Sequence, residues 1–217
     1  MDNKLRIDYL SNHIDYKVVQ HKDMYHFNTD TCLLGEFINI KKNDTVLDVG
    51  TNNGALLVYI IKKGGIATGI EINAKALEIC KLTLKENNIN ATLIDGDFTS
   101  YIFKSKFDCI VSNPPYFTFK DKQTNKNENK NIARHENSLT IESLCKALKQ
   151  NLKENGVIYL IYKANRIDEL EKELNNNSLY INELQYVYSK VKPNPKSVLV
   201  KASFNNNGKI MQDNKYI

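Results

Sequence analysis

Hydrophobic and polar positions fall into alternating short and long blocks along this chain. Thr45-Val46-Leu47-Asp48-Val49-Gly50 is a brief apolar run that stops at glycine, the form of a strand buried on both faces. Gly54 to Lys63 reads as a helix, ended by Gly64-Gly65. Ile66 to Ile72 predicts a second strand and Ala74 to Asn88 a second helix. In that helix Leu77, Cys80 and Leu84 share one face, while Lys75, Glu78, Lys81 and Lys85 point elsewhere. Ala91 to Ile94 and Phe107 to Ser112 predict a third and a fourth strand. Residues 118–137 then break the pattern, dense in Lys, Asn and Glu with little period, and predict a loop.

Helical period returns from about Thr140 to Lys153, where Ile141, Leu144, Cys145, Leu148 and Leu152 line one face and Asn155-Gly156 supplies the stop. Val157 to Tyr162 predicts a fifth strand. Ile167, Leu170 and Leu174 mark a helix ended by Asn175–Asn177. Tyr180 to Val191 and Ser197 to Phe204 predict two strands, and the connection Lys192-Pro193-Asn194-Pro195-Lys196 is too short for a crossover helix, so they are antiparallel. Residues 1–43 read as a helical and irregular N-terminal extension. The whole pattern predicts an α/β fold around a mostly parallel seven-stranded sheet with a C-terminal antiparallel hairpin. With no Pro/Gly/Ser-rich linker and no internal repeat, it predicts one domain over 1–217, its core at 44–205.

Composition narrows the classes. The chain has 217 residues, 41% hydrophobic and 25% charged, enough to bury a core without disulfide or metal staples. It lacks a run of 18 apolar residues, which argues against a transmembrane span. Met1-Asp2-Asn3-Lys4 leads into mixed polar sequence without the apolar segment of a signal peptide, which makes the cytoplasm the default compartment. Cys32, Cys80, Cys109 and Cys145 form no CxxC pair and sit among apolar neighbours, so they read as buried free thiols. His13, His21, His26 and His135 show no ligand spacing, and no metal site is expected. The net charge of +5 permits a polyanionic partner without requiring one. Lys, Asn and Ile abundance is what an AT-rich genome encodes, which weakens any reading of the lysine count alone.

The chemistry gathers at predicted strand ends. The first strand leads into Asp48-Val49-Gly50-Thr51-Asn52-Asn53-Gly54, directly before a helix. Ligands of open α/β sheets bind at the carboxyl ends of the strands, where glycine lets the backbone approach. The second strand ends near Glu71, placed to bind ribose hydroxyls. The third ends in Asp95-Gly96-Asp97-Phe98, an acid and an aromatic suited to an adenine. Asp48, Glu71 and Asp97 together would repel the phosphates of a dinucleotide. A cationic nucleoside fits better, and S-adenosylmethionine (SAM) is such a molecule.

The fourth strand ends in Ser112-Asn113-Pro114-Pro115-Tyr116. Two prolines stiffen the backbone. The Asn113 side-chain oxygen and the Pro114 carbonyl are acceptors that together fit an NH2 group, and Tyr116 offers a face for stacking.

These motifs, in this order, resemble the class I SAM-dependent methyltransferases of the amino-group type, whose fold is Rossmann-like. More narrowly the chain resembles the bacterial tRNA1(Val) adenine-37 N6-methyltransferases. His26-Phe27-Asn28-Thr29-Asp30-Thr31-Cys32-Leu33-Leu34-Gly35, Ala133-Arg134-His135-Glu136 and Val191-Lys192-Pro193-Asn194-Pro195-Lys196-Ser197-Val198-Leu199-Val200 carry that likeness, which covers about residues 18–204. The resemblance implies tRNA as partner and an adenine just 3′ of the anticodon as target. It implies Thr29 and Asp30 near the methionine end of SAM, with the turn of Gly50, Asn52 and Gly54 beneath it. Glu71 would hold the ribose, and Asp97 and Phe98 the cofactor adenine. Asn52 stands where the family's turn usually has glycine. Asn is the next-best residue at positive φ, so the turn is expected to survive.

Lysines crowd two segments that can reach the same side of the sheet, and Arg134, Lys192 and Lys196 are the expected phosphate contacts. Three other readings compete. Release-factor glutamine methyltransferases share the Asn-Pro-Pro-Tyr site but usually carry a separate helical N-terminal domain. An rRNA guanine or DNA adenine enzyme is another, the DNA type normally carrying a target-recognition insert. A non-catalytic RNA-binding module would not need the three acids and Asn113.

Overall fold

A computed structural model of the chain describes residues 4–10, 13–114 and 140–217. Pro115, Tyr116, Arg134 and the predicted loop at 118–137 lie outside the described residues. The parallel strands are β3 (Thr45–Val49), β4 (Ile66–Glu71), β5 (Thr92–Asp95), β6 (Phe107–Ser112) and β7 (Leu152–Lys163). They are followed by β8 (Tyr180–Tyr188) and β9 (Pro195–Ser203). The sheet order is β5-β4-β3-β6-β7-β9-β8, with β9 antiparallel to both of its neighbours. Two short strands, β10 (Ile210–Met211) and β11 (Lys215–Tyr216), add to β8 and bring the sheet to nine strands among the described residues, where the pattern predicts seven. These two-residue pairs carry no periodicity of their own, so only the open edge of β8 reveals them.

Helices α1 (Thr29–Phe37), α2 (Ala55–Lys62) and α3 (Ala74–Glu86) belong to one core cluster, and α4 (Ile141–Asn151) and α5 (Ile167–Asn176) to the other. The strands feed both clusters alternately. Val46, Cys109, Val111, Tyr159 and Ile161 join the first, and Leu47, Ile110, Ile158 and Leu160 the second. A strand that buries both faces reads as a continuous apolar run, and each such side chain contributes roughly 1.5–3 kcal/mol. All four cysteines are buried and free. Burial pushes the Cys80 and Cys145 thiols up to about 12.

The boundary between α4 and β7 moves. The helix expected to run to Lys153 ends at Asn151, and Leu152 already pairs with Phe107 as the first residue of β7. A register shift between Phe107 and Cys109 takes up the intervening residues, so Asn155-Gly156 lies inside the strand instead of stopping the helix. At the other end, α4 starts where the sequence places it. Thr140 accepts from the Ser143 amide at 3.0 Å, and Ser143 closes a capping box.

The N-terminal extension departs further from expectation. It is a β-hairpin, β1 (Leu5–Leu10) with β2 (His13–His21), followed by α1. The hairpin docks on α3 through polar side chains. Thr83 Oγ1 accepts from the Val19 amide at 3.0 Å, while Asn87 accepts from the Lys17 amide at 3.1 Å and donates to its carbonyl at 2.7 Å. Leu10, Val18 and Val19 are buried beneath it.

Candidate active site

The chain runs β3-β4-β5 to one side of the sheet and then crosses to β6 and β7 on the other, so the topological switch lies between β3 and β6. Open α/β sheets bind their ligands at the carboxyl ends of the strands at that switch. Register brings the predicted motifs to one edge. Val49 pairs with Ile70 and with Ser112, and Ile70 pairs with Ile94. The residues that follow these positions, Gly50, Glu71, Asp95 and Asn113, therefore line one edge. The Ser112 hydroxyl donates to the Val49 carbonyl at 2.9 Å and ties β6 to β3 at the switch itself.

The turn after β3 needs three positive φ angles: Gly50 at 73°, Asn52 at 47° and Gly54 at 81°. Asn52 thus adopts the left-handed conformation expected of it. Its amide donates to Glu71 Oε2 at 3.0 Å, and the Asn73 amide donates to Oε1 at 2.9 Å. Glu71 therefore joins the turn after β3 to the start of α3. Space decides two neighbouring glycines. A Cβ at Gly69 would lie 2.9 Å from Thr51, and one at Gly54 would lie 2.7 Å from Cys80 Sγ. At Gly50 the corresponding direction is open.

Asp48 is buried, and the Thr51 hydroxyl donates to its Oδ2 at 2.6 Å. Burial pushes its carboxyl up to about 7, opposed by the Thr51 hydrogen bond and reinforced by the charge of Glu71. Burial also raises Glu71, against the pull of its backbone donors. Among the described residues, Asp48 Oδ1 and Asn53 Nδ2 are the buried side-chain atoms without a hydrogen-bond partner, one at the end of β3 and one in the turn that follows. Asp97 Oδ1 accepts from the Thr99 amide at 2.8 Å and its hydroxyl at 2.7 Å, which shapes the turn after β5. The Phe98 ring packs into the core beside Phe103, at 6.3 Å between centroids.

The N-terminus of α1 meets Asn113. Asn28 caps the helix by accepting from the Thr31 amide at 3.1 Å. Thr29 is exposed on the first turn. Asp30 is buried and faces the start of β9, where its Oδ1 accepts from Ser197 at 3.1 Å and from Lys196 at 3.4 Å. The Asn113 Nδ2 donates to Thr31 Oγ1 at 3.1 Å. Pro114 is buried behind it, and Lys192 is exposed on the β8–β9 turn. Sequence reasoning missed Thr31, Thr51, Asn53 and Ser197. Each lies within or beside a stretch it singled out, but none belongs to a residue type that announces chemistry.

Fold and site together define a class. The methyltransferase small domain family matches residues 16–190, and the chain belongs to it; this is a SAM-dependent methyltransferase with the class I fold. More particularly, the chain is similar to two tRNA1(Val) (adenine(37)-N6)-methyltransferases. The one from Bacteroides thetaiotaomicron is 30% identical over 194 residues, covering 85% of this chain and 79% of the relative. The one from a Flavobacteriaceae bacterium is 26% identical over 202 residues, covering 91% and 85%. Among solved structures, the ribosomal protein L11 methylase of Lactobacillus delbrueckii subsp. bulgaricus shares the fold with a TM-score of 0.58, at 20% identity over 80% of this chain and 76% of that one.

The turn fits the cofactor. It combines open space at Gly50, an orphaned acceptor at Asp48 and an orphaned donor at Asn53, beside the carboxylate of Glu71. This is an acidic, mixed donor and acceptor set, matched to a cation that carries hydroxyls and an amino acid. When bound, SAM supplies a methyl group activated by a sulfonium.

Proposed function

We propose that this enzyme methylates N6 of an adenine in a tRNA anticodon loop. The observation that carries the reading is the Asn113 amide, held at the switch between β3 and β6 with its nitrogen on Thr31. The Asn113 side-chain oxygen and the Pro114 carbonyl would then supply the two acceptors that the hydrogens of an exocyclic amine require. An adenine N6 lone pair is delocalised into the ring and is a poor nucleophile. Acceptors placed on its hydrogens favour the pyramidal, positively charging nitrogen of the transition state. Holding that nitrogen in line supplies much of the remaining acceleration. No strong base is needed, because the methylated nitrogen is acidic and sheds its proton afterwards. Glu71 would hold the ribose hydroxyls of the cofactor, and Asp97 its adenine amino group.

The base must leave its stack to reach this edge. Lys190 and Lys192 stand on the β8–β9 connection, and Lys196 at the start of β9, at the same carboxyl edge, because β8 runs parallel to β7. They suit an anionic backbone. The named relatives support tRNA over a protein glutamine or another nucleic acid. The test is transfer of labelled methyl from SAM to unmodified tRNA, to ribosomal RNA and to release factor, followed by mapping of the modified base. Label in N6-methyladenine at position 37 of a tRNA is the expected result. Label confined to release factor would move the enzyme to the glutamine class.

A further inference from the structure

We propose that the stacked rings of Tyr188 and Tyr216, with Lys190 and Lys192, form a platform for an unpaired base of the RNA substrate. The proposal rests on the proposed function, which it deepens by assigning a subsite away from the reacting centre. Strand β11 pairs with β8 in parallel and sets Tyr216 beside Tyr188, and the two rings stack with centroids 5.5 Å apart at 26°. Backbone bonds fix the pair just beyond the rings. The Ile217 amide donates to the Tyr188 carbonyl at 2.9 Å, and the Lys190 amide donates to the Ile217 carbonyl at 3.0 Å. Among the described residues no strand lies beyond β11, and Tyr216 is 62% exposed. A flat ring with one face backed and the other in water is a surface on which a base stacks.

Charge decides what the platform would hold. Residues 184–217 carry six lysines. Lys196 pairs with Asp30, Lys201 with Glu183, Lys209 with Glu171 and Lys215 with Glu36. Among the described residues, Lys190 and Lys192 have no acidic partner, and both are exposed. Of these six cations, the two left unneutralised therefore stand at the turn beside the rings. The Lys192 amide donates to the Ser189 carbonyl at 3.2 Å and closes that turn, and Val191 between the two lysines is 89% exposed. Aromatic and cationic groups exposed together suit a single-stranded nucleic acid, whose bases stack and whose phosphates are anionic. A second copy of this chain docking here in two-fold symmetry would set the lysines against their own equivalents. The platform lies at the carboxyl edge it shares with Asn113, because β8 and β11 both run parallel to β7. Four strand spacings, from β6 through β7, β9 and β8 to β11, put Tyr216 roughly 19 Å from the end of β6. The base held there is therefore a neighbour of the methylated one and not that base itself.

The test measures binding of an unmodified tRNA transcript to the wild type, to Tyr216→Ala, to Tyr216→Phe and to Lys190→Ala combined with Lys192→Ala. A second series of transcripts has the anticodon-loop nucleotides made abasic one at a time. Tyr216→Ala is expected to weaken tRNA binding about tenfold, the lower end for one base stacked on one ring, while SAM affinity by calorimetry stays at the wild-type value. Tyr216→Phe keeps the ring face and is expected to bind tRNA as the wild type does. One abasic position other than the target adenine is expected to cost the wild type a similar factor and to cost Tyr216→Ala nothing further. The double lysine variant is expected to flatten the dependence of tRNA affinity on salt. Wild-type tRNA affinity in Tyr216→Ala, a loss in Tyr216→Phe as large as in alanine, an unchanged salt slope in the lysine variant, or additivity of Tyr216→Ala with every abasic position would overturn the proposal. Absence of any such abasic position in the wild type would overturn it even if Tyr216→Ala did not fold. Self-association of the wild type that Tyr216→Ala abolishes would make this surface a contact between copies and overturn it too. Methyl transfer to release factor and to no tRNA would instead remove the proposed function, and this proposal with it.

Discussion

At the scale of single residues, Asn113 and Glu71 are expected to fail in opposite ways. Asn113→Ala removes an acceptor used in the transition state, a loss that commonly costs ~10²–10³ in rate. Turnover is expected to fall by that order while SAM binding stays intact, since the Asn113 amide reaches Thr31 of α1. Single-turnover kinetics beside calorimetry separates the two quantities. Glu71→Ala is expected to weaken SAM by on the order of 2–3 kcal/mol through lost charge-assisted bonds. It also leaves the Asn52 and Asn73 amides without the acceptor that joins them. Glu71→Gln keeps one oxygen and is expected to fall between; unchanged SAM affinity in both variants would place Glu71 outside the site.

At the scale of elements, α1 is the piece on which the site depends most. Its Gly35 lies against Tyr59 of α2, and a Cβ there would sit 2.2 Å from the ring. Lys63 donates to the carbonyls of Glu36 and Ile38 at 3.1 and 2.6 Å, satisfying acceptors at the helix C-terminus. Gly35→Ala must push α1 away from α2, at a cost of about 1–3 kcal/mol. Because α1 carries Thr31, activity is expected to fall further than the melting temperature alone would suggest. A variant with lowered melting temperature and full kcat would show that the approach of α1 matters only for packing.

At the scale of the whole molecule, charge and pH are the levers. Replacing Lys192 and Lys196 together by alanine is expected to flatten the dependence of tRNA affinity on salt. The log–log slope should shrink by roughly 0.7–0.9 for each phosphate the protein ceases to neutralise. The Lys196 pairing with Asp30 makes its share the smaller one. A slope equal to wild type would leave these lysines as solvated surface. Asp48 gives the SAM-free protein a pH dependence. Its carboxyl lies near 7 folded against 3.8 as reference, so between these values the native state holds a proton that the unfolded chain has released. Its stabilising share is complete below about 3.8 and is lost as pH rises through about 7, on the order of 4 kcal/mol in total. Asp48→Asn is expected to flatten melting temperature against pH across that window. Glu71, raised in the same direction, leaves a residual slope.

Sequence alone determined the parts that local chemistry controls. The βαβα order, the antiparallel β8–β9 pair and the helix starts at Ala74 and about Thr140 followed from apolar period and connection length. Asn52 was legible as a residue that tolerates positive φ, and the strand-end acids and Asn113-Pro114 as chemistry awaiting a common edge. Tertiary structure decided what depends on a partner distant in the chain. The hairpin at Leu5–His21 is held by Thr83 of α3 and Asn87 at its C-cap, which receive its backbone, and nothing within residues 1–43 announces that. Helix α4 stops at Asn151 because Leu152 finds Phe107 across the sheet, where composition favoured the later Asn-Gly. Asp30 turned toward Ser197, and Phe98 into the core, because register and packing outweigh the motif each sits in. The hydrogen bond between Thr31 and Asn113 spans 82 residues. Only the crossing of the chain between β3 and β6 brings those two side chains within reach of each other.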